Sequence, residues 1–154
     1  VAEGVCFVST ANIGNEYTAT RQLDKALLDR FVIIEMDTLS DEQEHGLLQY
    51  MFPSVDSQML KTVSSISFLT RSEAKADNPR IGSGISTRTS VEIAGLLFDG
   101  FSIQEAADIT IYPQYDADGG ADSERTFVKQ IVQKFMDDGS SDDLFDVEEE
   151  NLDR

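Results

Sequence analysis

The fold is predicted from VCFVSTAN, residues 5–12, and LDRFVII, residues 28–34. Each stretch contains an apolar run that is too short to cross a membrane. A strand covered on both faces shows no polar and apolar alternation, so both runs are typical of buried parallel strands. Asn12 follows the first predicted strand, and Arg30 comes just before the second. Nucleotide-handling α/β proteins place their polar groups at such positions, outside the carboxyl ends of the strands.

The residues from 40 to 136 are predicted to form a bundle of four or five helices. SDEQ at residues 40–43 and SIQE at residues 102–105 are capping boxes, which mark the starts of helices. Apolar residues recur at helical spacing in four sets. These are Leu47, Leu48, Met51 and Phe52, then Val55, Met59, Val63 and Ile66, then Val91, Ala94, Leu97 and Phe98, then Phe127, Val128, Ile131, Val132, Phe135 and Met136. The predicted fold class is therefore α/β but mostly α, with two strands and a short helix before the bundle.

The overall composition limits the function. The chain has 154 residues and a formal net charge of −17, so its surface repels phosphate backbones and a nucleic-acid partner is disfavoured. Cys6 is the single cysteine, and it is expected to be a small buried hydrophobe. No membrane span or signal peptide is recognised, which favours the cytoplasm. Because the chain opens at Val1 without a methionine, we expect it to be a piece of a longer protein.

Several chemical motifs are missing or incomplete. The sequence has no phosphate-binding loop, since GSG at residues 82–84 lacks the lysine that such a loop requires. The acidic stretch at residues 116–124 resembles a calcium loop but misses the EF-hand register, so a solvated loop that caps the next helix is preferred. His45 is the single histidine, and no catalytic triad or metal site is predicted.

Asn12, Arg30 and Arg88 are the remaining polar signals. An amide at a strand end can orient a water molecule or contact a terminal phosphate. An arginine can bind phosphate in its own subunit or across a subunit boundary. Taken singly, the three residues are better explained as a loop-capping amide and two surface arginines. Their order along the chain, together with the predicted strands and helices, favours a shared phosphate-binding role.

This order of elements resembles the C-terminal half of an AAA+ ATPase of the MoxR, CbbQ and cobaltochelatase-small-subunit group. The matching stretches are VSTANIG at residues 8–14, QLDKALLDRF at residues 22–31 and ISTRTSVEIA at residues 85–94. The resemblance implies that Asn12 is the sensor-1 residue, Arg30 the arginine finger and Arg88 the sensor-2 residue.

The resemblance also implies a domain organisation. Residues 1–38 would hold the last core strands of a P-loop AAA+ α/β domain, and residues 39–136 its α-helical lid. Residues 137–154 form an acidic tail that is expected to be disordered and is no part of the family pattern. Both Walker motifs are absent and are expected upstream of Val1, so the chain alone is not expected to hydrolyse ATP.

In the whole enzyme that the resemblance implies, ATP and Mg²⁺ bind between the strand ends and the lid. Asn12 would position the attacking water, Arg88 would bind the γ-phosphate, and Arg30 would act on the neighbouring subunit of a homo-oligomeric ring, a hexamer. ATP hydrolysis would drive remodelling of a client protein or metal insertion into it. The alternative is a non-enzymatic, acidic helical module that binds a basic partner.

Overall fold

The computed structural model describes residues 3–10, 29–34 and 36–137. By its internal contacts the chain divides into two units, Val1–Asp37 and Thr38–Arg154. The division predicted from the sequence, with boundaries after residues 38 and 136, stays a prediction because the tail lies outside the described residues.

The described part of the second unit is helical. Its five α-helices are α1 (Asp41–Met51), α2 (Ser57–Ala74), α3 (Thr87–Phe98), α4 (Ile103–Thr110) and α5 (Glu124–Asp137). Two short 3-10 helices, Tyr112–Gln114 and Gly120–Asp122, lie between α4 and α5. In this part of the chain α1 packs on α2, and α2 packs on both α3 and α5, so α2 is the central helix of the bundle.

Both predicted capping boxes are confirmed. At the start of α1, Ser40 Oγ accepts the Gln43 N–H at 3.3 Å, and Gln43 Oε1 accepts the Ser40 N–H at 3.1 Å. At the start of α4, the corresponding distances between Ser102 and Glu105 are 3.2 Å and 2.9 Å. Each box satisfies two amides that have no partner inside the helix, which explains why these helices begin where they do.

The core lies between the helices and is mainly aliphatic. Leu48 of α1, Leu60 of α2 and Ala94 of α3 are each 0% exposed. The apolar stripe predicted for α5 is largely confirmed, because Val128 and Val132 are also 0% exposed, while Met136 at the end of the stripe is 40% exposed. The apolar stripes therefore extend beyond the core at helix ends.

The first turn of α1 is joined to α2 through Asp41. The Asp41 carboxylate accepts hydrogen bonds from Lys61 Nζ at 2.6 Å, Ser64 Oγ at 2.6 Å and Ser65 Oγ at 3.1 Å. Partial burial raises the pKa of Asp41, but these hydrogen bonds and the charge of Lys61 outweigh burial and hold the pKa below its usual value. The start of the second unit is thus attached to its central helix.

A Schellman motif ends α3 and turns the chain into α4. Gly100 has a φ of 93°, a left-handed conformation that glycine adopts without steric cost. The Phe101 N–H donates to the Leu96 carbonyl at 3.0 Å, and the Gly100 N–H donates to the Leu97 carbonyl at 3.1 Å. These two bonds satisfy carbonyls at the helix end and fix Phe101 beside the last turn of α3.

The predicted α/β fold class is wrong for the described residues, which form helices and no strand. The runs at residues 5–8 and 31–34 have irregular backbone instead of pairing in a sheet. Val8, Val32 and Met36 are 90%, 91% and 90% exposed, so the predicted burial on both faces is not observed. The physical reason is that two short strands cannot form a stable sheet without further strands.

The prediction for Cys6 is also wrong. The sequence predicted a small buried hydrophobe, but Cys6 is exposed, because the run that contains it does not enter a core. No helix in the described part of the chain is both long enough and apolar enough to cross a bilayer.

Candidate functional site

Of the three residues predicted to share a site, one lies outside the described residues and the other two belong to different units. Asn12 lies outside the described residues. Arg30 is exposed in a turn of the first unit and has at least one bonded or electrostatic partner. Arg88 is exposed in the first turn of α3, in the second unit. Their convergence on one ligand therefore stays a prediction.

The acidic loop before α5 is held by local hydrogen bonds. Asp116 Oδ1 accepts the Asp118 N–H at 2.9 Å, and Ser123 Oγ accepts the Thr126 N–H at 3.2 Å, which caps α5. Within residues 3–10, 29–34 and 36–137, no three or more His, Cys, Asp or Glu side chains are grouped so that they could hold a metal ion. The loop thus serves as a turn that leads into a helix start.

A buried ion pair joins α1 to α2, and sequence reasoning missed it. Arg71 is 7% exposed and Glu44 is 1% exposed. The guanidinium donates to both Glu44 oxygens, with 3.0 Å between Nη2 and Oε1. Arg71 Nε also donates to the Ile85 carbonyl at 2.6 Å. Arg71 continues the buried stripe that Leu60, Ser64 and Ser67 form along α2, but the two serines are polar, so the sequence does not mark this face as buried.

An exposed aromatic surface lies where α1 and α3 end. The rings of Phe52 and Phe98 have centroids 6.3 Å apart and planes tilted by 49°. Phe52 lies over Gly95, one turn earlier on α3, and Phe101 follows the Schellman turn. Phe98 is 60% exposed and Phe101 is 41% exposed. We call Phe52, Phe98 and Phe101 the aromatic patch.

Two of the three patch residues, Phe52 and Phe98, end apolar faces that were predicted from the sequence. The sequence pattern placed Phe52 and Phe98 on faces turned toward the core. Phe52 is half-buried against the core, as predicted, whereas Phe98 at the end of α3 is left at the surface. Met51, at the same end of α1, is 46% exposed. Clustered exposed aromatic residues are typical of a binding surface, since isolated exposed apolar residues are common but contiguous groups are not.

The charges around the aromatic patch have one sign. Residues 41–60 and 89–124 contain no lysine or arginine. Asp99 directly follows Phe98, and Asp56 caps the start of α2 by accepting the Gln58 N–H at 3.1 Å; both are exposed. Neither α1 nor α3 has a basic residue in its last turn, so the partial negative charge of both helix ends is left uncompensated by the helices' own side chains.

The chain is similar to one named protein over much of its length. It is 34% identical over 106 residues to "Putative chaperone BssE" of Thauera aromatica, a match that covers 69% of this chain and 35% of that protein. The chain thus spans about a third of the length of this relative. No protein-family model matches the chain.

These findings overturn the AAA+ assignment. No family model matches, the similar protein is named as a chaperone, and the described residues form no strand of an AAA+ core. The labels sensor 1, arginine finger and sensor 2 are therefore wrong as assignments for Asn12, Arg30 and Arg88. What these residues do, and whether ATP and Mg²⁺ bind, stays a prediction and forms no part of the proposal below.

Proposed function

We propose that this chain is part of a chaperone-type protein that assists a client protein. The observation that carries the proposal is the 34% identity over 106 residues to the Thauera aromatica protein whose name describes a chaperone. The match covers 69% of this chain, which is more than a short shared motif and includes a large part of the helical unit.

The aromatic patch supports the proposal. A protein that assists clients needs an accessible apolar surface, because unfolded or partly assembled clients expose apolar segments that bury favourably against it. Phe98 is 60% exposed on the last turn of a regular helix. The helix fixes its backbone, so binding at this position costs little backbone ordering.

A client-aggregation assay tests the proposal. A chemically denatured test enzyme is diluted into buffer with and without the purified chain, while light scattering and recovered activity are followed. We expect the chain to lower scattering in proportion to its concentration, up to an about equimolar ratio. An unrelated acidic protein of similar size and charge is the control, because charge alone can reduce aggregation.

The outcomes separate the proposal from the alternative. Unchanged scattering, or equal suppression by the acidic control protein, overturns the chaperone-type role. Binding of the client without an effect on scattering or recovered activity favours the non-enzymatic interaction module instead.

A further inference from the structure

We infer that the aromatic patch is a docking surface for a partner segment that carries both apolar and basic residues. The inference rests on the proposed function and specifies which surface meets the client and what chemistry the client offers there. The occupant is an extended or helical segment in which aromatic or aliphatic side chains are flanked by lysine or arginine.

The apolar part of the inference follows from the geometry of Phe52 and Phe98. Their tilted rings have centroids 6.3 Å apart, and the Phe52 ring lies over Gly95, which has no side chain to hold the ring away from α3. The backbone of Phe101 is fixed beside the last turn of α3, because its N–H donates to the Leu96 carbonyl at 3.0 Å. An apolar side chain that packs against the exposed faces of these rings would bury apolar area, and an aromatic one would also gain offset or edge-to-face contacts.

The basic part of the inference follows from charge. Asp99 directly follows Phe98 and is exposed, and the C-terminal ends of α1 and α3 carry partial negative charge with no basic residue in their last turns. The nearest cation on the same helix, Arg88, is at the opposite end of α3, about 15 Å from Phe98 along the axis. Lys61 is paired with Asp41 at the opposite end of α1. A cationic partner would therefore meet uncompensated negative charge.

The same charges disfavour other occupants. The tail from residue 138 onward has eight acidic residues and one arginine, so its approach to the patch is opposed by like charge. A second copy of the chain also carries a net charge of −17, which opposes self-association through this acidic surface.

Peptide binding to the full chain tests the inference. Three fluorescent peptides of equal length are compared by anisotropy: one with leucine and lysine, one with each lysine replaced by glutamate, and one with each leucine replaced by serine. We expect tight binding of the leucine–lysine peptide alone, weakening as salt is added because the charges are exposed.

Matched variants locate the binding surface. Phe98→Ser removes a patch residue, and Phe68→Ser removes a phenylalanine of similar accessibility, 46% exposed, on α2. We expect Phe98→Ser and Phe101→Ser each to weaken binding of the leucine–lysine peptide by about tenfold or more. Phe68→Ser should leave peptide binding unchanged.

Circular dichroism and thermal midpoints verify that each variant is folded. Peptide-induced amide shifts in the wild-type chain should centre on residues 95–101.

Each result has a defined meaning. Equal binding to wild type and Phe98→Ser, equal binding of the glutamate peptide, or amide shifts centred elsewhere overturns the docking surface. If Phe98-dependent binding is seen but wild type does not suppress client aggregation, the docking surface stands and the chaperone-type role fails. If wild type and Phe98→Ser suppress aggregation equally, the role stands and the docking surface is overturned.

Discussion

Gly84 lies where the backbone before α3 crosses α2. A Cβ added at Gly84 would be 2.5 Å from Arg71 Cα and 2.7 Å from the Arg71 backbone nitrogen. These are main-chain atoms of a packed helix, so they cannot turn aside as a flexible side chain could. Gly95 is the opposite case, because its added Cβ would be 3.9 Å from the Phe52 ring, an ordinary contact.

The two glycines give a matched pair of substitutions. Gly84→Ala should lower the free energy of unfolding by about 1–3 kcal/mol, because the segment before α3 must move away from α2 to admit the methyl group. Gly95→Ala should raise it by about 0.5–1 kcal/mol, because alanine is favoured over glycine inside a helix. Urea denaturation measures both, and shifts of the same sign would contradict the close approach at Gly84.

Tyr115 offers a test by pH. Burial, together with the Glu124 carboxylate, raises the pKa of Tyr115 to about 12 from its ordinary 10.0. The unfolded chain loses this proton first, so the contribution of Tyr115 to stability is complete below about pH 10 and is lost as pH rises from about 10 to about 12. We expect denaturation midpoints to fall more steeply over this window in wild type than in Tyr115→Phe. Equal slopes would contradict the raised pKa.

At the level of elements, the Glu44–Arg71 pair joins α1 to α2. Both side chains are almost fully removed from water, and a buried charge is tolerated only when it is paired and hydrogen-bonded. Arg71 also holds the segment before α3 through the Ile85 carbonyl. Three consecutive helices therefore depend on one guanidinium for their relative positions.

Removing one partner should cost more than removing both. Arg71→Met leaves the Glu44 carboxylate buried without its partner and should lower the free energy of unfolding by about 3–5 kcal/mol. The double variant Glu44→Leu with Arg71→Met should lose markedly less, because no unpaired charge remains. Chemical denaturation of both single variants and the double variant gives a double-mutant cycle. If their losses in the free energy of unfolding are additive, the two residues do not act as a pair.

Helix starts could be predicted from the sequence because they depend on neighbours in the chain. Ser40 with Gln43, and Ser102 with Glu105, form their hydrogen bonds over three residues, and such patterns are visible without tertiary information. The predicted strands failed because an apolar run becomes a strand only when it finds partners far along the chain.

The candidate site could not be predicted for a similar reason. Phe98 fits the helical periodicity of a core face but is 60% exposed, because periodicity alone does not show where the core ends. Arg71 was missed because charged residues are seldom buried without a partner, and its partner Glu44 is 27 positions away. Both features become visible only when α1, α2 and α3 are packed together.

At the level of the whole molecule, net charge should influence stability. A formal charge of −17 on 154 residues repels itself in the compact state. Added sodium chloride screens this repulsion over about 10 Å at 0.1 M, so the thermal midpoint should rise with salt at neutral pH. A midpoint that falls would instead indicate that attractive pairs such as Lys61–Asp41 outweigh the repulsion.

The attachment of Asp41 to α2 has a mechanical consequence. A force applied to the chain at residue 38 reaches the second unit through the first turn of α1. There the Asp41 carboxylate accepts hydrogen bonds from Lys61, Ser64 and Ser65. The load is shared among three parallel bonds instead of breaking them in succession. Under tension the first turn of α1 would therefore stay attached to α2. Unfolding would begin at a helix that has fewer side-chain bonds to its neighbours.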